Sequence, residues 1–369
     1  MTLHEEFAVK LKRLRTLMQT KNLDALYLKR QDDFAWLSCG GRNYVGLSDM
    51  GNCGLLVTTD AHHAITSTVE SQRMMDEENL AELGFTMHAG IWHDESFEAA
   101  KLLELVPSGG IGFDHSHKIG PNLAEEIKPL RFPLTESEVQ KFRMVGQLAS
   151  LVIEETASSI RVGESEYAIL SRAAQKAREL GLEVVSLMCA ADQRISQYRH
   201  PLPTAAQVKE RVQIGGNLRK WGLTVCLTRY VNFTPVTAEL ERQMRLNQEI
   251  DCILMQETKV GRELKEVLAC GEKAYKERGY GYEIDNHHQG GPIGYAGRDY
   301  RVDFSNTHVV EVNQGFCWNP SITGTKSEDT ILVTQSGFEF ITKPVVFPVC
   351  EIKVGDTSFS RADILQKLM

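Results

Sequence analysis

The sequence predicts an α/β (α+β) protein of two domains, and three observations support this fold class. The chain has 369 residues, which is long for a single hydrophobic core. Residues 1–131 combine helical patterns with short strand-like runs, as an α/β domain does. Residues 132–369 give a helix pair, strands, a second helix pair and further strands, which is the order of two αβ halves, although no sequence repeat relates them.

The first domain begins with a predicted amphipathic helix. Its apolar residues recur at helical spacing on one face, at Phe7, Leu11, Leu14 and Met18. A short strand follows at residues 25–28. The runs GLLVTTD and AHHAITS, residues 54–60 and 61–67, flank a polar turn and predict a β-hairpin. A further strand edge and turn are expected at residues 109–117.

The second domain begins after a link bounded by two prolines, at residues 129–134. Thr135 and Glu138 have the spacing of a capping box, and the apolar positions that follow continue at helical spacing. A second helix is predicted at residues 165–180, with Gly181 as its terminator. The remaining predictions are strands at 184–189, 211–214 and 223–231, helices at 237–258 and 264–278, and a hairpin at 331–342.

Composition and charge exclude several classes of protein. Hydrophobic residues make up 42% of the chain and charged residues 24%, which is typical of a globular protein. The net charge is -8 and the basic residues are scattered, so neither nucleic acid nor an anionic membrane is an expected partner. The sequence has no long apolar run and no apolar leader at its start, and its eight cysteines form no CxxC pair, so a cytoplasmic location with reduced thiols is expected.

Two stretches near the C-terminus have the composition of a functional site. NHHQGGPIGYAGRDY, residues 286–300, places paired histidines before consecutive glycines, which allow close approach of the backbone to a bound molecule. WNPSITGTKSEDT, residues 318–330, places polar and charged groups at the margin of an apolar strand. We expect the charged groups of the second stretch to face a cavity or solvent.

These stretches and their separation resemble the pita-bread family, which contains methionine aminopeptidase, the Xaa-Pro peptidases (prolidases) and creatinase. The resemblance covers nearly the whole chain. It implies an N-terminal creatinase-like α/β domain, residues 1–131, and a C-terminal pita-bread domain, residues 132–369, with a curved antiparallel sheet backed by helices. It also implies a homodimer, because members of the family are commonly dimers.

The resemblance further implies that most of the family's metal ligands are absent. Its peptidases hold two divalent ions with two Asp, one His and two Glu, and carboxylate charge is what such a pair of cations requires. Aligned on Leu227-Thr228-Arg229, those five positions fall on Gly215, Cys226, His288 (or His287), Asn319 and Glu328. We therefore expect no two-metal centre and no cofactor. A single soft metal such as Zn on Cys226 and His288 is a lesser alternative.

Another segment suggests acid–base chemistry. YRHPLPT, with His200 before Pro203-Thr204, is similar to the family segment whose His is the general acid/base in creatinase, a metal-free member. Imidazole titrates near neutral pH and can both accept and return a proton. The predicted catalytic residues are His200, His288 and Glu328. The predicted substrate-binding residues are His287, Arg298, Asn319, Tyr295, Cys226 and Arg42, the last of which would reach a neighbouring subunit's site.

Each candidate also has a structural interpretation. The histidines could be structural residues whose ring nitrogens are hydrogen-bonded at turns. Glu328 could be hydrogen-bonded to Lys326 or to the backbone. Arg298 could pair with Asp299, and Arg42 could be a solvated loop residue. Cys226 has no evident base beside it in the sequence, so packing is favoured over nucleophilic catalysis.

Three functional hypotheses follow. The first is a metal-independent, creatinase-like hydrolase or lyase that acts on a C–N or similar bond of a small, carboxylate-bearing substrate. The second is a non-catalytic descendant that binds a small molecule or a protein, because fold alone does not determine function. The third is an Xaa-Pro aminopeptidase or dipeptidase, which two bound metal ions together with dipeptide cleavage would indicate.

Overall fold

The computed structural model describes residues 1–46 and 48–368 and consists of two compact units. The first unit contains Met1–Glu138 and Trp221–Leu223, and the second contains the rest of the chain. The division falls a few residues after the predicted domain boundary at residue 131, which stays a prediction.

The first unit is built on a five-stranded mixed sheet with the strand order β4-β3-β2-β1-β5. The strands are β1 Ala25–Arg30, β2 Met50–Thr58, β3 His62–Ser67, β4 Thr86–Gly90 and β5 Ile111–Phe113. The helices are α1 Leu3–Lys21, α2 Gln31–Leu37, α3 Ser71–Glu77, α4 Phe97–Leu105 and α5 Ala124–Ile127, and a 3₁₀ turn spans Lys128–Arg131.

Most elements of this unit were predictable from the sequence. Helix α1 begins at a capping box between Thr2 and Glu5 and ends at Asn22 in the left-handed conformation, with φ 54°. The predicted hairpin is confirmed, because β2 pairs antiparallel with β3. Helix α2 was missed, and its buried Phe34 and Trp36 explain the aromatic character of that segment.

The second unit contains four long helices and most of the strands. Its helices are α6 Glu136–Ser159, α7 Glu166–Glu179, α8 Arg194–Gln197, α9 Ala238–Glu257 and α10 Leu264–Glu277, with a 3₁₀ turn at Gly281–Asn286. Its strands are β6 Glu183–Ala191, β7 Arg211–Lys220, β8 Leu223–Asn232, β9 Gly290–Pro292, β10 Gly315–Trp318, β11 Ser321–Ile322, β12 Thr325–Lys326, β13 Asp329–Thr334, β14 Gly337–Phe340, β15 Val349–Val354, β16 Thr357–Ala362 and β17 Leu365–Gln366.

Two four-stranded sheets dominate this unit. Their strand orders are β17-β8-β7-β6 and β14-β13-β10-β9. The pairings β6–β7, β9–β10, β10–β13 and β13–β14 are antiparallel, whereas β17 runs parallel to β8. Helices α9 and α10 pack an apolar cluster that includes Leu254, Leu268 and Trp318 against the second sheet. The sheet ends and the loops between them carry the candidate site.

The sequence patterns predicted the long helices of this unit well. The capping box forms as expected, because the Thr135 N–H donates to Glu138 Oε2 at 2.7 Å at the start of α6. Helices α7, α9 and α10 and the β13–β14 hairpin also lie where they were predicted. The antiparallel hairpin formed by β15 and β16 was missed.

Candidate functional site

Three histidines from two loops of the second unit meet at one point, and we call them the histidine cluster (His200, His287 and His288). His200 follows α8, and the other two lie between the 3₁₀ turn and β9. The Nε2 atoms of His200 and His287 are 3.2 Å apart. The rings of His287 and His288 stack at 4.4 Å, and those of His200 and His288 at 5.5 Å. His287 is buried, His288 is half-buried and His200 is exposed, so the cluster opens to solvent at His200.

The environment keeps the cluster neutral near pH 7. Burial, followed by the charge of Lys326, lowers the pKa of His287 to about 2. Burial and the charge of Arg298 lower the pKa of His288 to about 4. Partial burial and Lys326 also lower the pKa of His200 below its usual 6.5. Each ring is therefore neutral near pH 7 and carries one nitrogen lone pair, as a base or a ligand requires, although the hydrogen bond between His200 and His287 engages one of these lone pairs.

Glu328 lies in a buried ion pair behind the cluster. Its Oε2 accepts hydrogen bonds from Thr228 Oγ1 at 2.6 Å and from Lys326 Nζ at 2.9 Å. Burial raises the pKa of this carboxyl, but the Lys326 ammonium and these hydrogen bonds outweigh burial and lower the pKa to about 2. The pKa of Lys326 is raised despite its burial. The bond to Lys326 is the one that the structural interpretation of Glu328 expected.

The three other aligned positions hold no carboxylate. Gly215 lies in β7, where an added Cβ would be 2.3 Å from the carbonyl oxygen of Leu227. Cys226 is buried in β8 near Cys317, and the hydrogen bond between the two thiols and burial raise the pKa of Cys226. Its thiol is therefore protonated at neutral pH, which agrees with packing rather than nucleophilic catalysis. Asn319 is buried, and its Oδ1 has no hydrogen-bond partner among the described residues.

The close contact at Gly215 gives a stability prediction. We expect Gly215→Ala to lower the free energy of unfolding by about 1–3 kcal/mol, because β8 must shift to admit the methyl group. Gly294→Ala is the matched control, since its Cβ would meet no atom within 4 Å. Chemical denaturation of both variants measures the difference. Equal unfolding midpoints would contradict the close packing of β7 on β8.

The remaining candidate residues, Arg298, Tyr295 and Arg42, differ in their contacts and burial. Arg298 donates from Nη1 to the carbonyl oxygens of Gly291 and Cys317, at 3.0 and 2.6 Å, so that nitrogen links β9 to β10. Tyr295 is buried. Arg42 belongs to the first unit, where it pairs with Glu78 at 3.4 Å and is 51% exposed.

The structure adds residues that sequence analysis did not assign to the site. Cys317 brings its sulfur within 4.8 Å of ligand atoms of Cys226 and Glu328. Lys326 was predicted only as a partner of Glu328 and not as a site residue. Two residues that are two positions apart in an extended segment lie on the same face, so this spacing could have placed Lys326 in the site. Behind Glu328, a cavity of about 20 Å³, enough for roughly one water molecule, leads to Arg361, which pairs with Asp251 at 2.7 Å.

Comparison with known sequences finds peptidases. No protein-family profile matches the chain. An uncharacterized peptidase of Staphylococcus aureus (strain MW2) is 26% identical over 227 residues, which cover 58% of this chain and 64% of the relative. The counterpart in strain MRSA252 is 25% identical over the same length. The match thus spans somewhat less than two thirds of these relatives.

Comparison with solved structures defines the fold. An Xaa-Pro dipeptidase from Bacillus anthracis superposes with a TM-score of 0.74 at 19% identity and covers 98% of this chain and 100% of its own. A prolidase from Pyrococcus horikoshii gives 0.77 at 18% identity over 91% and 98% of the two chains. The N-terminal domain of the FACT complex subunit SPT16 from Cicer arietinum gives 0.69 at 9% identity over 93% and 97%.

These findings confirm the predicted fold class. The protein has the mixed α/β architecture of the pita-bread fold, with curved, mostly antiparallel sheets, and its scaffold is that of the Xaa-Pro peptidases. No helix within the described residues has both the length and the apolar character needed to cross a bilayer.

Proposed function

We propose that this protein is a creatinase-like hydrolase or lyase that acts on a C–N or similar bond of a small, carboxylate-bearing substrate without a two-metal centre. The observation that carries the proposal is the buried pair of Lys326 and Glu328, at 2.9 Å. Glu328 is the one carboxylate at the five aligned positions, and a protein ammonium already neutralises it. The residues present do not fit a pair of divalent cations, which need several anionic oxygens.

The chemistry assigned to His200 is proton transfer. In the hydrolytic case, its neutral imidazole takes a proton from water as the water oxygen attacks the carbon of the scissile bond. The resulting imidazolium returns that proton to the departing nitrogen as the C–N bond breaks, so the imidazole ends as it began. His287 contacts His200 through nitrogen and orients its ring. His288 lies against both rings and faces the same pocket.

The charge around the histidine cluster favours an anionic substrate. Lys326, Arg298 and Arg301 each lower the pKa of His200, whereas Glu328 is the one carboxylate that raises it among the main contributions. The net field at the cluster is therefore positive, and it attracts a substrate carboxylate. Asn319, with its unpartnered buried oxygen, would accept a hydrogen bond from the substrate.

A homodimer, a cytoplasmic location and a small-molecule substrate belong to the same proposal. Arg42 would then serve a neighbouring subunit's site, and Tyr295 and Cys226 would shape the pocket. The half-exposed guanidinium of Arg42 supports the first of these roles.

A substrate screen with and without metal tests the proposal. The full-length protein, treated with a chelator, is assayed against small amidino and amido acids and against Xaa-Pro dipeptides. We expect turnover of a C–N substrate that persists after chelation and needs no added metal, because the acid–base group is the protein's own.

Two other outcomes would contradict the proposal. Xaa-Pro dipeptide cleavage that requires two equivalents of Mn²⁺ or Co²⁺ would instead support the peptidase function that the dipeptidase and prolidase neighbours suggest. Binding of a small molecule or protein without turnover would support the non-catalytic alternative, because fold alone does not determine function.

A further inference from the structure

The histidine cluster also has the donor geometry of a metal site that differs from the one the family resemblance implies. One ligand atom from each of His200, His287 and His288 lies within 4.8 Å of the others. The two Nε2 atoms at 3.2 Å are close to the separation of about 3.3 Å that two nitrogens at about 2.0–2.1 Å have in a tetrahedral zinc site. Of the five aligned ligand positions, only His288 belongs to this set.

The fold does not use all of the ring nitrogens of these residues. The Nδ1 atoms of His287 and His288 are buried and have no hydrogen-bond partner within the part of the chain that the structure describes. His287 is 8% exposed. The fold therefore leaves one nitrogen of each of these two rings without a partner among the described residues, and an unsatisfied buried donor or acceptor costs about 1–3 kcal/mol.

We propose that the histidine cluster binds one d-block cation, of which Zn²⁺ is the representative. Three imidazoles without a carboxylate suit Zn²⁺, Ni²⁺ or Cu²⁺ and do not suit Mg²⁺ or Ca²⁺, which prefer oxygen ligands. His200 is exposed, so the fourth position of a tetrahedral ion faces solvent and can hold water. Glu328 neutralises the Lys326 ammonium. The charges of Arg298 and Arg301 remain near the rings, so the cluster favours a cation that binds imidazole strongly enough to outweigh their repulsion.

Bound metal has a consequence that rests on the proposed function. A lone pair of His200 that is donated to Zn²⁺ is no longer available to take a proton from water. The cation would therefore inhibit a hydrolase or lyase that uses His200 as its acid/base, and a chelator would restore the activity.

The test measures metal binding directly and does not depend on activity. Chelator-treated, full-length protein is titrated with Zn²⁺ alone by calorimetry and with Co²⁺ alone by visible absorption. We expect one equivalent to bind, a tetrahedral Co²⁺ spectrum, and no binding of Mg²⁺. His287→Ala should weaken Zn²⁺ binding by at least about 100-fold, since even the loss of an outer-shell partner costs 10–100-fold.

Two further variants keep the test decisive. His200→Ala changes an exposed loop residue, and it should weaken Zn²⁺ binding similarly if His287→Ala fails to fold. His63→Ala is the matched control, because His63 contacts His88 at 3.2 Å in a histidine pair of the first unit. Zn²⁺ affinity that is equal in His63→Ala, His200→Ala and the unsubstituted protein would overturn the metal site. Tight binding without inhibition would leave the site standing and contradict the role of His200 in the proposed function.

Discussion

Replacing His200 with glutamine is expected to lower kcat on the substrate found in the screen by about 10²–10⁴-fold, because a positioned general acid–base group contributes that much to the rate. Glutamine keeps a polar side chain near His287 but cannot exchange a proton. Since His200 is exposed in a loop, the free energy of unfolding should be almost unchanged. Steady-state kinetics and thermal unfolding of the same preparation measure both quantities.

The pH dependence of the unsubstituted enzyme gives a second readout of the same role. Partial burial and the charge of Lys326 lower the pKa of His200 below 6.5. The base is active when neutral, so kcat/KM should hold as pH falls to about 6.5 and decline only at more acid pH. The residual activity of His200→Gln should not show this decline of kcat/KM at acid pH.

A matched control separates the loss of the acid–base group from the effect of replacing any partly buried histidine. His63→Gln alters another partly buried histidine with a lowered pKa, but one that lies in β3 of the first unit. It should retain kcat. Full turnover in His200→Gln, or a decline of kcat/KM at acid pH that survives the substitution, would remove His200 from the acid–base role.

The fold was largely predictable because its signals are local. The capping box at Thr135 and Glu138 and the apolar spacing after it are read within a few residues, and α6 forms there. The hairpin of β15 and β16 has a comparable local signal in the turn at Gly355, where φ is +57°, but each of its six-residue strands has one buried residue and three exposed ones. Its weak apolar alternation explains why it was missed.

The site was less predictable because its contacts join distant parts of the chain. Residue types and family resemblance singled out His200 and His287, but the contact between their rings spans 87 residues. The thiols of Cys226 and Cys317 are 91 residues apart in sequence, and nothing in either local segment indicates that they meet. A sequence pattern can therefore nominate side chains for a pocket, whereas their mutual distances require the tertiary structure.

The second large effect concerns stability. Lys326→Met should lower the free energy of unfolding by about 3–5 kcal/mol, because it leaves the Glu328 carboxylate buried without its ammonium partner. Adding Glu328→Leu should recover most of that loss, since an apolar pair avoids the desolvation of both charges. Arg143→Met is the control, because Arg143 and Glu339 form an ion pair whose side chains are 44% and 32% exposed, and its loss should cost about 0–1 kcal/mol.

The pH dependence of this deficit has a definite sign. The pKa of Glu328 is lowered from 4.5 to about 2 in the folded protein, so its pairing contributes stability that is fully present above pH 4.5 and is lost as pH falls towards 2. In Lys326→Met, burial without the ammonium raises the pKa of Glu328, so its folded form takes up a proton above pH 4.5. The gap between the unsubstituted protein and Lys326→Met should therefore begin to narrow above pH 4.5, and it should close further between pH 4.5 and 2 as the unsubstituted protein loses its pairing. Denaturant unfolding at a series of pH values measures the gap. A deficit below about 1 kcal/mol at pH 7, or one that widens in acid, would show that the ammonium does not hold this carboxylate ionised, and the argument against a two-metal centre would lose its main support.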